Sequence, residues 1–282
     1  MTVRERGASQ PDVRAEQRGQ ALAPYIEIRD VSKQFVNKKG TVFTGVTEIE
    51  LTIEKGSFVS IVGPSGCGKS TLLTMISGLS GPTTGDVLIE GKSIRDVQNN
   101  MGFLFQKDVL FPWKTVLGNV ESPLLFRGVD KSEANRRALE WIAKVGLKGF
   151  EHHYPHQLSG GMRKRVSMAQ TFVYDPEVIL MDEPFSALDV HTRNRMENEL
   201  MEIWGGSGRT VVFVTHDLEE AIALSTHVVV FTKSPGRIKA VYEVDLPYPR
   251  NVAEIKFEPK FPEIYQMIWS DLREEVAGHG HE

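Results

Sequence analysis

The stretch Val62-Gly63-Pro64-Ser65-Gly66-Cys67-Gly68-Lys69-Ser70-Thr71 decides how the rest of the chain is read. Phe58 to Ile61 ahead of it are apolar or small, as in a buried strand, and Leu72-Leu73-Thr74-Met75-Ile76 behind it continues with helical spacing. The glycines therefore fall at a strand-to-helix turn, the setting of a phosphate-binding loop. Glycines let successive backbone N–H groups turn toward a polyphosphate, and the helix N-terminus adds partial positive charge. In this reading Lys69 reaches the outer phosphates and Ser70 offers its hydroxyl to Mg²⁺.

Outward from the loop, Tyr25-Ile26-Glu27-Ile28, Ile49-Glu50-Leu51-Thr52-Ile53 and Asp86-Val87-Leu88-Ile89 alternate with period two and predict antiparallel strands, the first broken at Arg29-Asp30. From Lys107 to Lys148 the period becomes helical, with Ser132 as the expected cap of a helix running to Val145, and a second helix is expected to open near Ser159. Val178-Ile179-Leu180-Met181, Thr210-Val211-Val212-Phe213-Val214 and Val228-Val229-Val230-Phe231 are apolar runs too short for helices, separated by helical segments near Arg193 to Trp204 and Leu218 to Leu224. Buried parallel strands alternating with helices predict an α/β fold. The expected plan is a tail over 1–24, one domain over 25–245 with a helical insertion at about 107–175, and an extension over 246–282 carrying one amphipathic helix.

With 282 residues, 40% hydrophobic and 25% charged, the chain has the composition of a globular protein. A formal charge of -4 argues against a nucleic-acid binder built on a broad basic face. One cysteine excludes an internal disulfide and a Cys-based zinc site and points to a reducing compartment. No apolar run is long enough for a membrane span and no signal-peptide core is visible, so a cytosolic protein that reaches a membrane through a partner is expected. The histidines at 152, 153 and 156 lead into the Ser159 helix and are not read as a metal site.

Asp182-Glu183 follows directly on a buried strand, at the edge where open α/β sheets bind ligands. Asp182 is expected to hold Mg²⁺ and Glu183 to polarise the attacking water. Between this pair and the phosphate loop lies Leu158-Ser159-Gly160-Gly161-Met162-Arg163. With that segment in place, Tyr25 to Phe231 resembles the ATP-binding cassette (ABC) ATPases, whose elements occur here in the family's order. The resemblance implies a P-loop NTPase core with an antiparallel β subdomain and an inserted helical subdomain. It implies that Phe35 stacks on adenine, that Gly63, Pro64, Ser65, Gly66, Cys67, Gly68, Lys69, Ser70 and Thr71 hold the phosphates, and that Gln106 contacts Mg²⁺ and the water. It further places Ser159, Gly160 and Gly161 at the signature, Asp189 in the D-loop and His216 at the γ-phosphate, with Glu183, His216 and Gln106 as the catalytic set and Ser70, Gln106 and Asp182 as the metal set.

Because one phosphate loop and one signature occur, and the signature of this family closes over nucleotide on a partner, a homodimer or close heterodimer is implied. Lys164 stands where the family usually has glutamine, and Gln170-Thr171 where it commonly has Arg-Ala; these departures bear on nucleotide contacts across that interface. The segments Val109 to Val120, Ser234 to Ile238 and Phe261 to Val276 look like the nitrate/sulfonate/taurine group of bacterial importers. That likeness implies transmembrane permease subunits, an indirect solute-binding partner and a place at the cytoplasmic face of the membrane. A lipid-trafficking or efflux ATPase is the alternative, and a nucleic-acid-acting ABC protein is disfavoured by the single cassette without a coiled coil. Two features carry expectations of their own. Cys67, at a helix N-terminus beside Lys69, is expected to be a reactive thiol if the loop is open to solvent. Phe111-Pro112-Trp113 either packs into the helical insertion or lines a groove for a cytoplasmic helix of the permease.

Overall fold

The computed structural model describes residues 24–95 and 100–277. The expected tail, apart from Pro24, and the final residues Gly278 to Glu282 lie outside the described residues. Strands β1 (Pro24–Val36) and β2 (Val42–Glu54) pair antiparallel. The break read at Arg29-Asp30 is a bulge within β1 and not its end: register shifts between Ile28 and Val31, and Asp30 takes φ 47°. Strand β3 (Phe58–Val62) runs into α1 (Lys69–Ile76) through the glycine loop, and β4 (Thr84–Ile89) and β5 (Lys92–Ser93) complete a four-stranded sheet of order β2-β1-β4-β5.

The remaining elements are β6 (Met101–Leu104), α2 (Val116–Phe126), α3 (Lys131–Lys144), α4 (Gly160–Phe172), β7 (Val178–Asp182), α5 (Val190–Trp204), β8 (Thr210–Val214), α6 (Leu218–Leu224), β9 (His227–Phe231), β10 (Ile238–Glu243) and α7 (Lys260–Ala277). The second sheet has the order β10-β9-β3-β8-β7-β6, parallel except for β10, which pairs antiparallel at one edge. Its inner strands β9, β3, β8 and β7 are apolar on both faces because both faces are covered. Phe58, Val62, Ile179, Met181, Val211, Phe213, Val228 and Val230 point toward α5, α6 and α7, while Val59, Ile61, Val178, Leu180, Val212, Val214, Val229 and Phe231 face the first sheet and α1. This alternation within continuous apolar runs is why periodicity alone leaves such strands without a visible face.

Helices α2, α3 and α4 form a third core around Val116, Val120, Ala138, Ile142 and Val166. Asp130, not Ser132, caps α3: its carboxylate accepts the Ser132 hydroxyl at 2.5 Å and the Ser132 N–H at 2.8 Å, which together hold that carboxyl below its ordinary range. Helix α4 opens at Ser159, whose hydroxyl accepts the Met162 N–H at 3.3 Å. After β10 the chain stays on the main core, with Val244, Leu246, Val252, Ile255 and the Phe261-Ile264-Ile268-Leu272 stripe of α7 joining Phe58 and Trp204. Arg250 fastens this extension. Its buried guanidinium donates to the carbonyls of Ile222, Ala223 and Ser225 at the end of α6 and to those of Val244 and Leu246, and it stacks on Tyr248. Burial lowers its pKa to about 10, so it remains charged at neutral pH.

Candidate nucleotide site

Parallel register brings four loops to one sheet edge. Ile61 of β3 and Asp182 of β7 both pair with Val214 of β8, and Met181 of β7 pairs with Leu104 of β6, so the C-terminal ends of four strands stand level. The loops leaving them carry Gly63 to Gly68, Asp182-Glu183, Thr215-His216 and Phe105-Gln106. These motifs lie far apart in sequence, and the sheet makes them neighbours.

In the glycine loop, Lys69 is buried and its ammonium donates to the carbonyls of Gly63 and Pro64, each at 2.8 Å. Ser70 Oγ donates to Asp182 Oδ1 at 2.8 Å, joining the loop to the end of β7. Burial raises the Asp182 carboxyl above its usual range, partly offset by the Ser70 hydroxyl and by Lys69. A cation beside it would reverse that cost, and hydroxyl, carboxylate and amide oxygens form the hard donor set that a divalent cation such as Mg²⁺ prefers. Gly68 closes the loop with φ 101°, and a Cβ there would overlap Val46 and the carbonyl of Gly45, so only glycine fits.

Glu183 receives the other two loops. Its Oε2 accepts Gln106 Nε2 at 3.3 Å and lies 3.2 Å from His216 Nδ1. The Glu183 backbone sits at φ 41°, a left-handed conformation that a side chain rarely adopts, held by its N–H donating to the Val214 carbonyl at 2.9 Å. Such strain persists only where surroundings enforce it, and here it turns the carboxylate toward Gln106 and His216.

The other residues singled out from the sequence stand around this edge. Phe35 stacks on Phe43 with ring centroids 5.1 Å apart and touches Gly45, which in turn abuts Gly68; the aromatic pair thus borders the loop's helix end. Ser159, Gly160 and Gly161 lie at the start of α4, and among the described residues no hydrogen bond links them to the chain's own phosphate loop. Asp189 caps α5 by accepting the Thr192 N–H at 3.0 Å, and bonds from Thr192 hold its carboxyl below the ordinary range.

Three expectations need correction or resolution. Cys67 is 1% exposed, and burial pushes its thiol up more strongly than Lys69 draws it down, so it is a buried structural cysteine and not a reactive thiolate. Lys164 and Thr171 do not face outward toward a partner: both are buried, Lys164 against the backbone of Phe105 and Gln106, and Thr171 with its hydroxyl on the Ser167 carbonyl. Trp113 is 71% exposed and Phe126 73%, flanking Phe111, whose ring they approach at 5.6 and 6.4 Å, so the Trp113 ring is not core.

Two supporting features are not apparent from motif reading. The turn after β9 packs under the phosphate loop: Gly236 N–H donates to the Gly45 carbonyl at 3.0 Å, and a Cβ on Gly236 would overlap the Cys67 carbonyl. Behind His216, the Thr215 hydroxyl donates to the buried carboxyl of Glu220. The Pro-Gly pair at 235–236 was the available signal for the first; nothing local marks the second.

Comparison with known proteins agrees with this arrangement. A family model described as ABC transporter matches residues 46–186. An uncharacterized ABC transporter ATP-binding protein of Methanocaldococcus jannaschii is 44% identical over 251 residues, covering 89% of this chain and 92% of that protein. The aliphatic sulfonates import ATP-binding protein SsuB of Bacillus cereus is 43% identical over 233 residues, covering 83% and 91%. Among solved structures, a dimeric ATP-binding cassette in a post-hydrolysis state bound to ADP and Pi superposes with a TM-score of 0.70 at 33% identity, over 78% of this chain and 98% of that one. With the phosphate loop, the paired carboxylates and the signature helix on one such scaffold, the chain belongs to the ABC transporter family and is an ATP-hydrolysing member of it.

Proposed function

We propose that this chain is the ATPase subunit of a bacterial importer for a small solute of the nitrate, sulfonate or taurine kind, and that Glu183 is its general base. The meeting of Gln106 and His216 on Glu183 Oε2, beside the Ser70–Asp182 bond, carries the reading. Lys69 and the loop from Gly63 to Thr71, through its N–H groups other than at Pro64, hold the β- and γ-phosphates, and Phe35 stacks on the adenine ring. Ser70, Asp182 and Gln106 would hold Mg²⁺, which would supply charge neutralisation at the phosphates. Glu183 accepts the proton of the attacking water, Gln106 orients that water, and His216 fixes the carboxylate while donating toward the γ-phosphate.

A second copy completes the site. Ser159 to Gly161 are exposed or half-exposed at a helix start and carry no lysine of their own, which suits capping a nucleotide held elsewhere. Asp189 lies nearby at the start of α5, and two copies related by a two-fold axis would form two composite sites. The dimeric cassettes among the structural neighbours support this. Among the described residues no helix is long and apolar enough to cross a membrane. A permease holds the chain at the cytoplasmic face in this reading, which its relatives among transporter ATP-binding proteins support. The exposed Val109, Trp113 and Phe126 supply the apolar surface for that permease, which in turn receives cargo from a solute-binding protein. The sulfonate importer relative supports a small organic anion as cargo.

The test is Glu183→Gln. The variant should retain MgATP binding, form a dimer stable to gel filtration in ATP, and lose hydrolysis by about a hundredfold or more. Hydrolysis at the wild-type rate would remove Glu183 from the role of base. For the cargo, a strain lacking this gene should lose growth on alkanesulfonates as sole sulfur source; unimpaired growth would move the assignment to another solute.

A further inference from the structure

We infer that Lys164 is a positioning residue that ties the Gln106 loop to the signature helix, so that the two move as one body. Lys164 lies on α4, five residues after Ser159, with its side chain 5% exposed. Its ammonium donates to the carbonyls of Phe105 at 3.2 Å and Gln106 at 3.0 Å, and stands 3.1 Å from Asp108 Oδ1. Two hydrogen bonds and one ion pair thus tie the ammonium to one four-residue segment. Arg163 extends the grip, its Nε standing 3.5 Å from Asp108 Oδ2.

The segment held this way is the one that reaches the reaction centre. The Gln106 carbonyl is bound by Lys164, and the Gln106 side chain donates to Glu183. A displacement of α4, the helix whose first residues are Ser159 to Gly161, is therefore passed to Gln106 by a charged clamp and not by apolar contact, which slides more easily. An uncharged amide here could reach the two carbonyls through its NH₂ group but would leave Asp108 Oδ1 without its cation, so the charge is what completes the clamp. The inference rests on Glu183 being the base, since the Gln106 side chain faces that carboxylate and the water it would activate.

A buried ammonium bound to carbonyls also steadies the fold, so the test must separate positioning from stability. Three variants of the full chain, Lys164→Met, Lys164→Arg and Glu183→Gln, are assayed for MgATP hydrolysis, thermal unfolding, and amide hydrogen exchange over residues 105–108. Lys164→Met keeps the length of the stem without the charge. It should lower kcat about 10- to 100-fold, as expected for a misplaced water-orienting group, while KM for MgATP stays within about twofold. Exchange at 105–108 should rise in this variant, and Lys164→Arg should restore most of kcat. A folded Lys164→Met that turns over at the wild-type rate, or whose KM rises in step with any loss of kcat, overturns the inference, as does failure of arginine to restore a chain of wild-type thermal stability. If Glu183→Gln itself hydrolyses normally, the base assignment fails instead, and the Lys164 result is then judged on hydrogen exchange alone: unchanged protection over 105–108 in Lys164→Met rejects the clamp.

Discussion

Oε2 of Glu183 stands 3.2 Å from Nδ1 of His216, across the ends of the paired strands β7 and β8. The same oxygen accepts Gln106, so three residues from three loops share one atom. His216→Ala and Gln106→Ala should each lower kcat by about 10- to 100-fold, with a smaller loss of MgATP affinity from the γ-phosphate and Mg²⁺ contacts they would make. Because both act through one carboxylate, the double variant should fall well short of the product of the single effects. Full multiplicativity in a steady-state double-mutant cycle would mean that they act separately.

The buried state of Cys67 makes a prediction opposite to that of an exposed loop thiol. Maleimide should label it slowly, at similar rates with and without MgATP, and activity should survive brief treatment. Mass spectrometry of the alkylated peptide gives the rate. Fast labelling that MgATP suppresses would show the loop opening far enough to expose the thiol.

Gly236 lies under the Cys67 carbonyl, and its N–H holds Gly45. Gly236→Ala should force the turn and the phosphate loop apart, lowering stability by about 1–3 kcal/mol and weakening MgATP binding at the same time. Chemical denaturation and nucleotide titration on one sample measure both. Gly91, where a Cβ would meet nothing within 4 Å, is the control for introducing a methyl group, although its own φ of 73° adds strain.

Trp113 is exposed, so Trp113→Ala should leave thermal stability and ATP binding of the isolated chain nearly unchanged. Its effect should fall on the permease, with a cost of about 2 kcal/mol or more in affinity if the ring anchors the contact. Copurification of the membrane subunits with the variant measures this. Full retention of the complex would place the docking surface away from Trp113.

Glu197 and Glu220 are both buried, Glu220 accepting the Thr215 hydroxyl behind His216, and their carboxyls act on one another. Burial raises both carboxyls above their usual range, Glu220 well above it with the charge of Glu197 adding; Asp217 reinforces both shifts, while Arg193 and Lys256 oppose that of Glu197 and the Thr215 hydroxyl that of Glu220. The folded chain thus keeps a proton that the unfolded chain releases near the ordinary glutamate value of 4.5. Between that value and the raised folded value the native state binds more protons, so stability falls as pH rises through the window. Glu220→Gln keeps an acceptor for Thr215 and supplies a donor to Glu197, and should flatten this slope. Its melting temperature relative to wild type should be more favourable at about pH 8 than at about pH 5.5. A parallel pair of melting curves at the two pH values would reject the buried-proton account.

The sequence alone carried the glycine loop, the apolar strand runs, the carboxylate pair after one of them and the order of the family's motifs, because each is written in adjacent residues whose chemistry acts locally. The fold class and the family follow from those. What local pattern does not contain is which face a neighbour occupies. Lys164 reads as a departure bearing on nucleotide contacts across an interface until β6, only four residues long, brings Phe105 and Gln106 against it. Cys67 reads as a reactive thiol until Gly63 and Gly236 close around it, and desolvation then outweighs the attraction of Lys69. Thr215 and Glu220 meet inside the turn that presents His216, where neither is marked by spacing. In each case the deciding quantity is burial by a segment distant in the chain, and solvent exclusion is a property of packing, so it comes into being only when the sheets close on one another.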